Sequence, residues 1–271
     1  MAMSIREAAV AGFFYPGEKG SLLSEVDACL AGAPAAVPRK AIAVVMPHAG
    51  YVYSGGTAGA VAAAVEVPDR ILGLGPKHTR YGARAAVATA TAWRFPFGDV
   101  PIDRELADAL AARRLFELDD TAHREEHSLE VEVPFLWRRN PRLKLTPVAL
   151  GRLGLDQLRE IGESIAEVIA AAAGPVLLVA STDMSHQIPL GEAQRLDGLA
   201  IARAIALDPE GLFRTVADHD ISMCGVIPVT AALFAAKALG ASSAELVKYT
   251  TSAEASGDTR RVVGYAGIVV A

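Results

Sequence analysis

The chain has 271 residues, of which 52% are hydrophobic, so it can bury a core the size of one large α/β domain or two small ones. With 26 Lys and Arg against 31 Asp and Glu, its net charge of −5 disfavours general binding to a nucleic-acid backbone, which requires a basic surface. No apolar stretch approaches the ~20 residues of a membrane span, and the two cysteines cannot build a disulfide framework. The N-terminus has no signal-peptide pattern, so we expect a reduced, cytoplasmic setting with no nucleic-acid or membrane partner.

Strand-length apolar runs alternate with helical patterns along the chain, as expected for helices packed on both faces of a sheet. The predicted strands cover residues 41–46, 70–74, 87–93, 143–150, 175–180, 244–251 and 261–270. The predicted helices cover residues 21–30, 56–65, 104–114, 155–172, 192–207, 209–217 and 226–239, and a further helix begins near Ser128. Residues 31–39 read as a Pro/Ala linker and residues 95–101 as a loop rich in breakers. We predict one three-layer α/β domain over residues 1–271, with a mixed, largely parallel central sheet.

Three of the predicted strands end in side chains that can bind metals or transfer protons. His48 and His78 follow the first two strands, and Asp183 and His186 follow the strand that ends at Ala180. Because parallel strands share their carboxyl edge, and ligands bind there in open α/β sheets, we expect these groups to converge. Two or three imidazoles at one edge indicate a metal site or an acid–base cluster.

Other candidate residues allow two interpretations each. Cys224 precedes a predicted helix, whose dipole favours a thiolate that could bind a metal or act as a nucleophile. The alternative for Cys224 is a small buried residue, which is also how we interpret Cys29. His127 and Glu130 share a helix face and could bind substrate or handle a proton, or else form a cap and an ion pair at the helix start. His123 stands among charged residues, and we expect it to be exposed to solvent.

Six short motifs occur in one order along the chain. They are residues 11–16 (AGFFYP), 47–55 (PHAGYVYSG), 75–78 (GPKH), 126–130 (EHSLE), 181–186 (STDMSH) and 224–225 (CG). Together they resemble the Memo family over essentially the whole chain, which is more specific than any one motif. Bacterial and archaeal members are often called AmmeMemoRadiSam system protein B, because their genes neighbour those of an AMMECR-type protein and a radical SAM protein. The resemblance implies a single Memo-like domain and makes those two proteins candidate partners.

The Memo family is similar in fold to the class III extradiol dioxygenases, which hold non-haem Fe(II) with two histidines and a glutamate. By this resemblance His48 and His78 are metal ligands, and Cys224 stands where the dioxygenases have the carboxylate. His186 then matches their acid–base histidine, with Asp183 accompanying and orienting it. A thiolate in place of the carboxylate departs from the facial triad of non-haem iron oxygenases.

These expectations lead to two candidate functions. The first is a metal-dependent, dioxygenase-like oxidoreductase that acts on a small molecule, with His127 and Glu130 on the substrate side. Its metal is iron, with copper or zinc as alternatives, because imidazole and thiolate suit all three. The second is a non-catalytic module that binds a peptide or a protein, or handles a metal, with the AMMECR-type and radical SAM partners.

Overall fold

The structure is a computed structural model that describes residues 4–33 and 37–271, so residues 34–36 of the predicted linker lie outside the described residues. The strands are β1 (Ile5–Arg6), β2 (Ala43–Met46), β3 (Arg70–Pro76), β4 (Ala85–Val87), β5 (Ala92–Phe95), β6 (Gly98–Pro101), β7 (Glu117–Leu118), β8 (Lys144–Leu150), β9 (Val176–Ser181), β10 (His186–Ile188), β11 (Ala244–Thr251) and β12 (Val262–Val270). The helices are α1 (Lys19–Ala31), α2 (Tyr51–Ala64), α3 (Arg104–Ala111), α4 (Ser128–Arg139), α5 (Leu155–Ala171), α6 (Leu190–Ile205), α7 (Pro209–Asp218), α8 (Val226–Ala238) and α9 (Ala253–Ser256).

Four parallel strands form the centre of the large sheet, in the spatial order β2, β9, β3, β8. Their carboxyl ends are in register, since Met46 pairs with Ser181 and Pro76 pairs with Leu150. β12 pairs antiparallel with β2 on one side, and β4 pairs antiparallel with β8 on the other. β10 and β11 pair with β12, and β7 pairs with β4, which completes a mixed sheet of nine strands within residues 4–33 and 37–271.

Helices cover both faces of this sheet, which confirms the predicted three-layer α/β architecture. On one face α1, α2 and α4 pack together, with α2 against β2, β11 and β12 and α4 against β3 and β9. On the other face α8 packs against β2, β3 and β9, α5 packs onto α8, and α6 lies against β12. Every residue of β9 is buried as a result, as is typical of a central parallel strand. Over the described part of the chain, the helices are too short or too polar to span a bilayer.

The region of residues 87–101 differs from the prediction of one strand followed by a loop. It forms the end of β4 and then the antiparallel hairpin of β5 and β6. Trp93 and Phe95 of the hairpin point inward, and Gly98 adopts φ 135°, a conformation that favours glycine. The breaker residues therefore make a tight turn between two strands. With β1 this hairpin forms a second sheet of three strands.

Helix α2 begins at Tyr51, five residues before the predicted start at Gly56. The backbone N–H of Tyr51 donates to the carbonyl oxygen of Phe14 at 2.8 Å, so the N-terminal segment anchors the first turn. Gly59 allows α1 to approach closely, because a Cβ at this position would lie 2.7 Å from the backbone of Cys29. The start of α2 at Tyr51 follows closely on the end of β2 at Met46, and His48 lies between them.

Candidate metal centre

Three of the predicted site residues converge at the carboxyl edge of the parallel strands. His48 lies just beyond β2 and His78 just beyond β3, while Cys224 reaches the same point from the loop before α8. The Sγ atom of Cys224 lies 3.3 Å from Nε2 of His48, and the two imidazole centroids are 5.3 Å apart. One ligand atom from each of the three residues lies within 4.8 Å of the other two. This spacing is compatible with ligation of one metal ion.

His48 is the deeper of the two imidazoles, with 2% of its surface exposed. Its Nδ1 lies 2.7 Å from Oγ of Ser181, and its backbone N–H donates to the carboxylate of Asp183 at 2.9 Å. Burial lowers the pKa of His48 well below its ordinary value, with smaller contributions from His127 and His78, so the ring is neutral. Because Nδ1 is engaged by Ser181, Nε2 is the nitrogen that faces Cys224.

Glu126 orients the second imidazole, His78. Its carboxylate lies 2.9 Å from Nδ1 of His78 and accepts the backbone N–H of His78 at 2.7 Å. Although burial alone raises the pKa of Glu126, the hydrogen bonds from His78 and the backbone hold it at about 2. Burial alone lowers the pKa of His78, but the hydrogen bond and charge of Glu126 raise it above its ordinary value. A carboxylate can only accept, so Nδ1 of His78 carries hydrogen and Nε2 is the nitrogen available to a ligand.

The sequence analysis quoted Glu126 within a motif but assigned it no role. Its carboxylate also accepts the backbone N–H groups of His127 and Ser128, at 3.0 Å each. An acidic residue directly before a helix can satisfy the free N–H groups of the first turn. That position, next to a histidine, is the signal that could have identified it.

His127 lies beside the three candidate ligands, as the N-cap residue of α4. Its ring stacks on His78 with a centroid distance of 4.7 Å and an interplanar angle of 22°, and its centroid is 5.5 Å from that of His48. Phe14 contacts it edge-on at 4.9 Å. The ligand atoms of His78, Glu126 and His127 also lie within 4.8 Å of one another, but both oxygens of Glu126 already accept hydrogen bonds. The contact of His127 with a substrate stays a prediction.

Glu130 is itself fully buried and lies in a separate network. Its carboxylate accepts from Arg6 at 2.6 Å and from the hydroxyl of Tyr15 at 2.7 Å. It also accepts the backbone N–H groups of Ala9 and Val10, at 2.8 and 3.0 Å. These contacts support the ion-pair alternative for Glu130, whereas its predicted contact with a substrate stays untested.

His123 is buried, so the prediction of solvent exposure is wrong. Its exposed fraction is 1%, and Nε2 lies 3.0 Å from the carbonyl oxygen of Ala86. Burial lowers the pKa of His123 to about 4. The charged neighbours that suggested exposure, Arg124 and Glu125, point outward themselves, because adjacent residues on a turn face different sides.

Asp183 contacts His48 and Cys224 instead of orienting His186 as predicted. Its carboxylate accepts the His48 backbone N–H, and its own N–H lies 3.2 Å from Sγ of Cys224. Burial raises the pKa of Asp183 to about 7, although the His48 N–H opposes the shift. A carboxyl with such a pKa can hold a proton near neutral pH.

His186 is oriented by Ser222. Nδ1 of His186 lies 2.9 Å from the Ser222 carbonyl oxygen, and the His186 backbone N–H donates to Oγ of Ser222 at 2.8 Å. A carbonyl only accepts, so Nδ1 is the donor in this contact and Nε2 is not engaged by Ser222. The register between β10 and β12 shifts here, and Gln187 adopts φ 58°. Such a bulge re-aims the neighbouring side chain, which is why Asp183 and His186 diverge although they are only three positions apart.

The surroundings of Cys224 favour a protonated thiol, whereas the sequence analysis predicted a thiolate. Burial and the charge of Asp183 raise the pKa of Cys224 well above its ordinary value, and this outweighs any effect of the following helix. A metal ion would therefore have to displace the thiol proton. Two imidazoles and the sulfur of the half-buried Cys224 fit a transition metal and do not resemble the oxygen ligands of magnesium or calcium sites.

Comparison with known proteins gives the same family over nearly the whole chain. A model of the family described as "Memo-like protein" matches residues 6–269. A MEMO1 family protein of Methanosarcina barkeri is 39% identical over 267 residues, covering 98% of this chain and 100% of that protein. A MEMO1 family protein of Methanopyrus kandleri is 40% identical over 282 residues, covering 97% and 98%.

One solved structure has the same fold at low sequence identity. It is an uncharacterized protein of Escherichia coli K12, with a TM-score of 0.59 and 13% identity over 84% of this chain and 98% of that chain. At this identity the likeness concerns the fold alone. The family match and the identity to the archaeal relatives establish that the chain belongs to the Memo-like family.

Proposed function

We propose that this protein holds one transition-metal ion through His48, His78 and Cys224. The observation that supports this most is the convergence of three ligand atoms within 4.8 Å. Both histidines have Nδ1 engaged by another residue, at 2.7 Å for His48 and 2.9 Å for His78, which leaves Nε2 of each as the nitrogen available to a metal. This arrangement is typical of metal-binding histidines, whose second nitrogen is held by a neighbouring group.

The chemistry we propose is a redox or oxygen-dependent reaction on a small molecule. Iron is the first candidate metal, with copper or zinc as alternatives, and a bound iron or copper ion would supply Lewis acidity and one-electron chemistry. His186 would transfer a proton, because its Nδ1 is fixed by Ser222 while its side chain stays accessible. His127 would contact the substrate, because its ring lies against His78.

Two substitutions at Cys224 test the metal site. Cys224→Ser should weaken metal binding by at least about tenfold, because an alcohol is a poor ligand that stays protonated. Cys224→Asp should retain Fe(II), because it recreates a set of two histidines and one carboxylate. Equilibrium titration with Fe(II) and Zn(II) under anaerobic conditions measures both. Metal affinity that is unchanged in Cys224→Ser would refute the assignment of this ligand.

Alkylation supplies an independent readout with an internal control. A bound metal should protect Cys224 from an alkylating reagent, whereas Cys29, half-buried in α1, should react at one rate with and without metal. Measurable alkylation of Cys224 that proceeds at the same rate with and without metal would indicate a structural cysteine.

The enzymatic part of the proposal has its own test. Product formed from a panel of catechols and related small molecules should be lost in His186→Ala and retained in the matched variant His219→Ala, whose histidine is an exposed residue at the end of α7. Activity that survives His186→Ala would reject the role of His186. Metal binding without turnover of any compound would favour the non-catalytic, metal-handling alternative.

A further inference from the structure

Glu132 is a carboxylic acid in the middle of the buried face of α4, and the metal-site proposal does not use it. Its exposed fraction is 1%, and it stands between the buried residues Val131 and Val133. One carboxyl oxygen, Oε1, accepts from the hydroxyl of Ser181 at 2.6 Å, while Oε2 has no hydrogen-bond partner among the described residues. A buried carboxyl with an unpartnered oxygen costs stability, so its presence calls for a role outside packing.

Ser181 connects this carboxyl to His48. A serine hydroxyl has a single hydrogen, and the contact with Oε1 of Glu132 uses it. The Ser181 oxygen then serves as an acceptor for Nδ1–H of His48, 2.7 Å away. The neutral imidazole has one N–H only, so this arrangement leaves the lone pair on Nε2, which faces Cys224 at 3.3 Å.

We propose that Glu132 is a positioning residue that, through Ser181, fixes His48 in the tautomer whose Nε2 can bind a metal. Without the acceptor at Glu132, the Ser181 hydroxyl is free to donate to Nδ1, and the hydrogen of His48 moves to Nε2, where it blocks ligation. The effect on metal affinity rests on the proposed function, whereas the effect on the tautomer does not.

Three variants distinguish the role of Glu132 as a hydrogen-bond acceptor from its role in packing. Glu132→Gln keeps an oxygen that can accept from Ser181, Glu132→Met keeps a similar volume without an acceptor, and Ser181→Ala removes the connecting oxygen. Long-range ¹H–¹⁵N NMR of the metal-free protein reports which nitrogen of His48 carries hydrogen. His78 is the internal control, because Glu126 fixes it independently.

The expected results are specific. Wild type and Glu132→Gln should show Nδ1–H at His48, while Glu132→Met and Ser181→Ala should lose this preference with the His78 spectrum unchanged. In a competition titration with Zn(II), Glu132→Met and Ser181→Ala should bind about 10–100-fold more weakly than wild type, as is usual for the loss of a group that orients a ligand. Glu132→Gln should stay within about threefold of wild type, because the acceptor is conserved.

Any of three results would overturn the proposal: Nε2–H at His48 in the wild-type protein, or an unchanged His48 tautomer in either Glu132→Met or Ser181→Ala. If Glu132→Met does not fold, Glu132→Leu, which is smaller and also lacks an acceptor, takes its place, because Ser181→Ala alone does not test Glu132. A wild-type protein that binds no Zn(II) or Fe(II) would refute the proposed metal site. The NMR spectra would still test whether Glu132 determines the tautomer of His48.

Discussion

At the residue scale, Glu126 sets both the charge and the orientation of His78. It accepts four hydrogen bonds, from the ring and backbone of His78 and from the backbone of His127 and Ser128. In Glu126→Gln the amide NH₂ must face at least one of these donors. We therefore expect the pKa of His78 to fall below its present raised value, because burial is no longer offset by a carboxylate. Metal affinity should fall about tenfold.

The matched control for this change is Glu125→Gln, which makes the same substitution one residue earlier at an exposed position. An NMR titration of the metal-free protein follows His78, and a Zn(II) titration follows affinity. If Glu126→Gln and Glu125→Gln show the same pKa of His78 and the same Zn(II) affinity, Glu126 does not orient His78.

His123 makes stability depend on pH. Its pKa is lowered from 6.5 to about 4 by burial, so the folded state binds its proton more weakly than the unfolded state. The contribution of His123 to the free energy of unfolding is complete above pH 6.5 and is lost as the pH falls toward 4. The shift corresponds to on the order of 3 kcal/mol. His123→Gln keeps an N–H donor for Ala86 and cannot titrate, so its free energy of unfolding should decline less between pH 7 and pH 4.

Denaturant unfolding at several pH values measures this difference, with His219→Gln as a control for an exposed histidine. The interpretation fails if wild type and His123→Gln show parallel pH profiles. The physical basis is the burial of the ring against Trp93 and the β4 backbone, which excludes the water that a charged imidazole needs.

At the element scale, hydrogen bonds to Glu130 hold the N-terminal segment of residues 5–16 against α4. The segment of residues 5–16 donates four groups to this carboxylate, and Phe14 at its far end packs against His127. Glu130→Gln should cost about 3–5 kcal/mol, because it leaves Arg6 as a buried charge without its partner. Amide hydrogen exchange at Ala9 and Val10 should accelerate, since Glu130 is their acceptor.

The control is Asp27→Asn, which breaks the exposed ion pair with Arg138. That pair lies on the surface of α1 and α4, so its loss should cost less than about 1 kcal/mol. If both variants lose the same small free energy of unfolding, the buried network is not what holds the segment.

The sequence predicts a strand or helix correctly where one local signal, such as a continuous apolar run, outweighs the others. Continuous apolar runs identified β2 and β9, and β11 has the predicted limits. The hairpin of β5 and β6 was missed, because Pro96 and Gly98 were interpreted as a loop when they form a turn between strands. The start of α2 was missed because its first turn depends on Phe14, which is distant along the chain.

At the scale of the whole molecule, the sheet explains which site residues could be predicted. Strands β2 and β3 end at one edge, so the convergence of His48 and His78 follows from the order of elements and the rule for parallel sheets. The groups that orient them could not be found in this way. Ser181 meets Glu132 through packing between α4 and β9, and no local pattern encodes this pair. Glu126 has a local signal as an acidic residue before a helix, but that signal does not tell which histidine it orients.

The central claim is that this one edge of the sheet holds a single transition-metal ion. The most direct test is the metal content of the protein purified without oxygen and then offered Fe(II), Cu or Zn, compared with His48→Ala and the matched variant His123→Gln. Wild type and His123→Gln should hold about one equivalent of metal, and His48→Ala should hold less than about a tenth. A wild-type content below about a tenth of an equivalent with all three metals, or full retention in His48→Ala, would contradict the account.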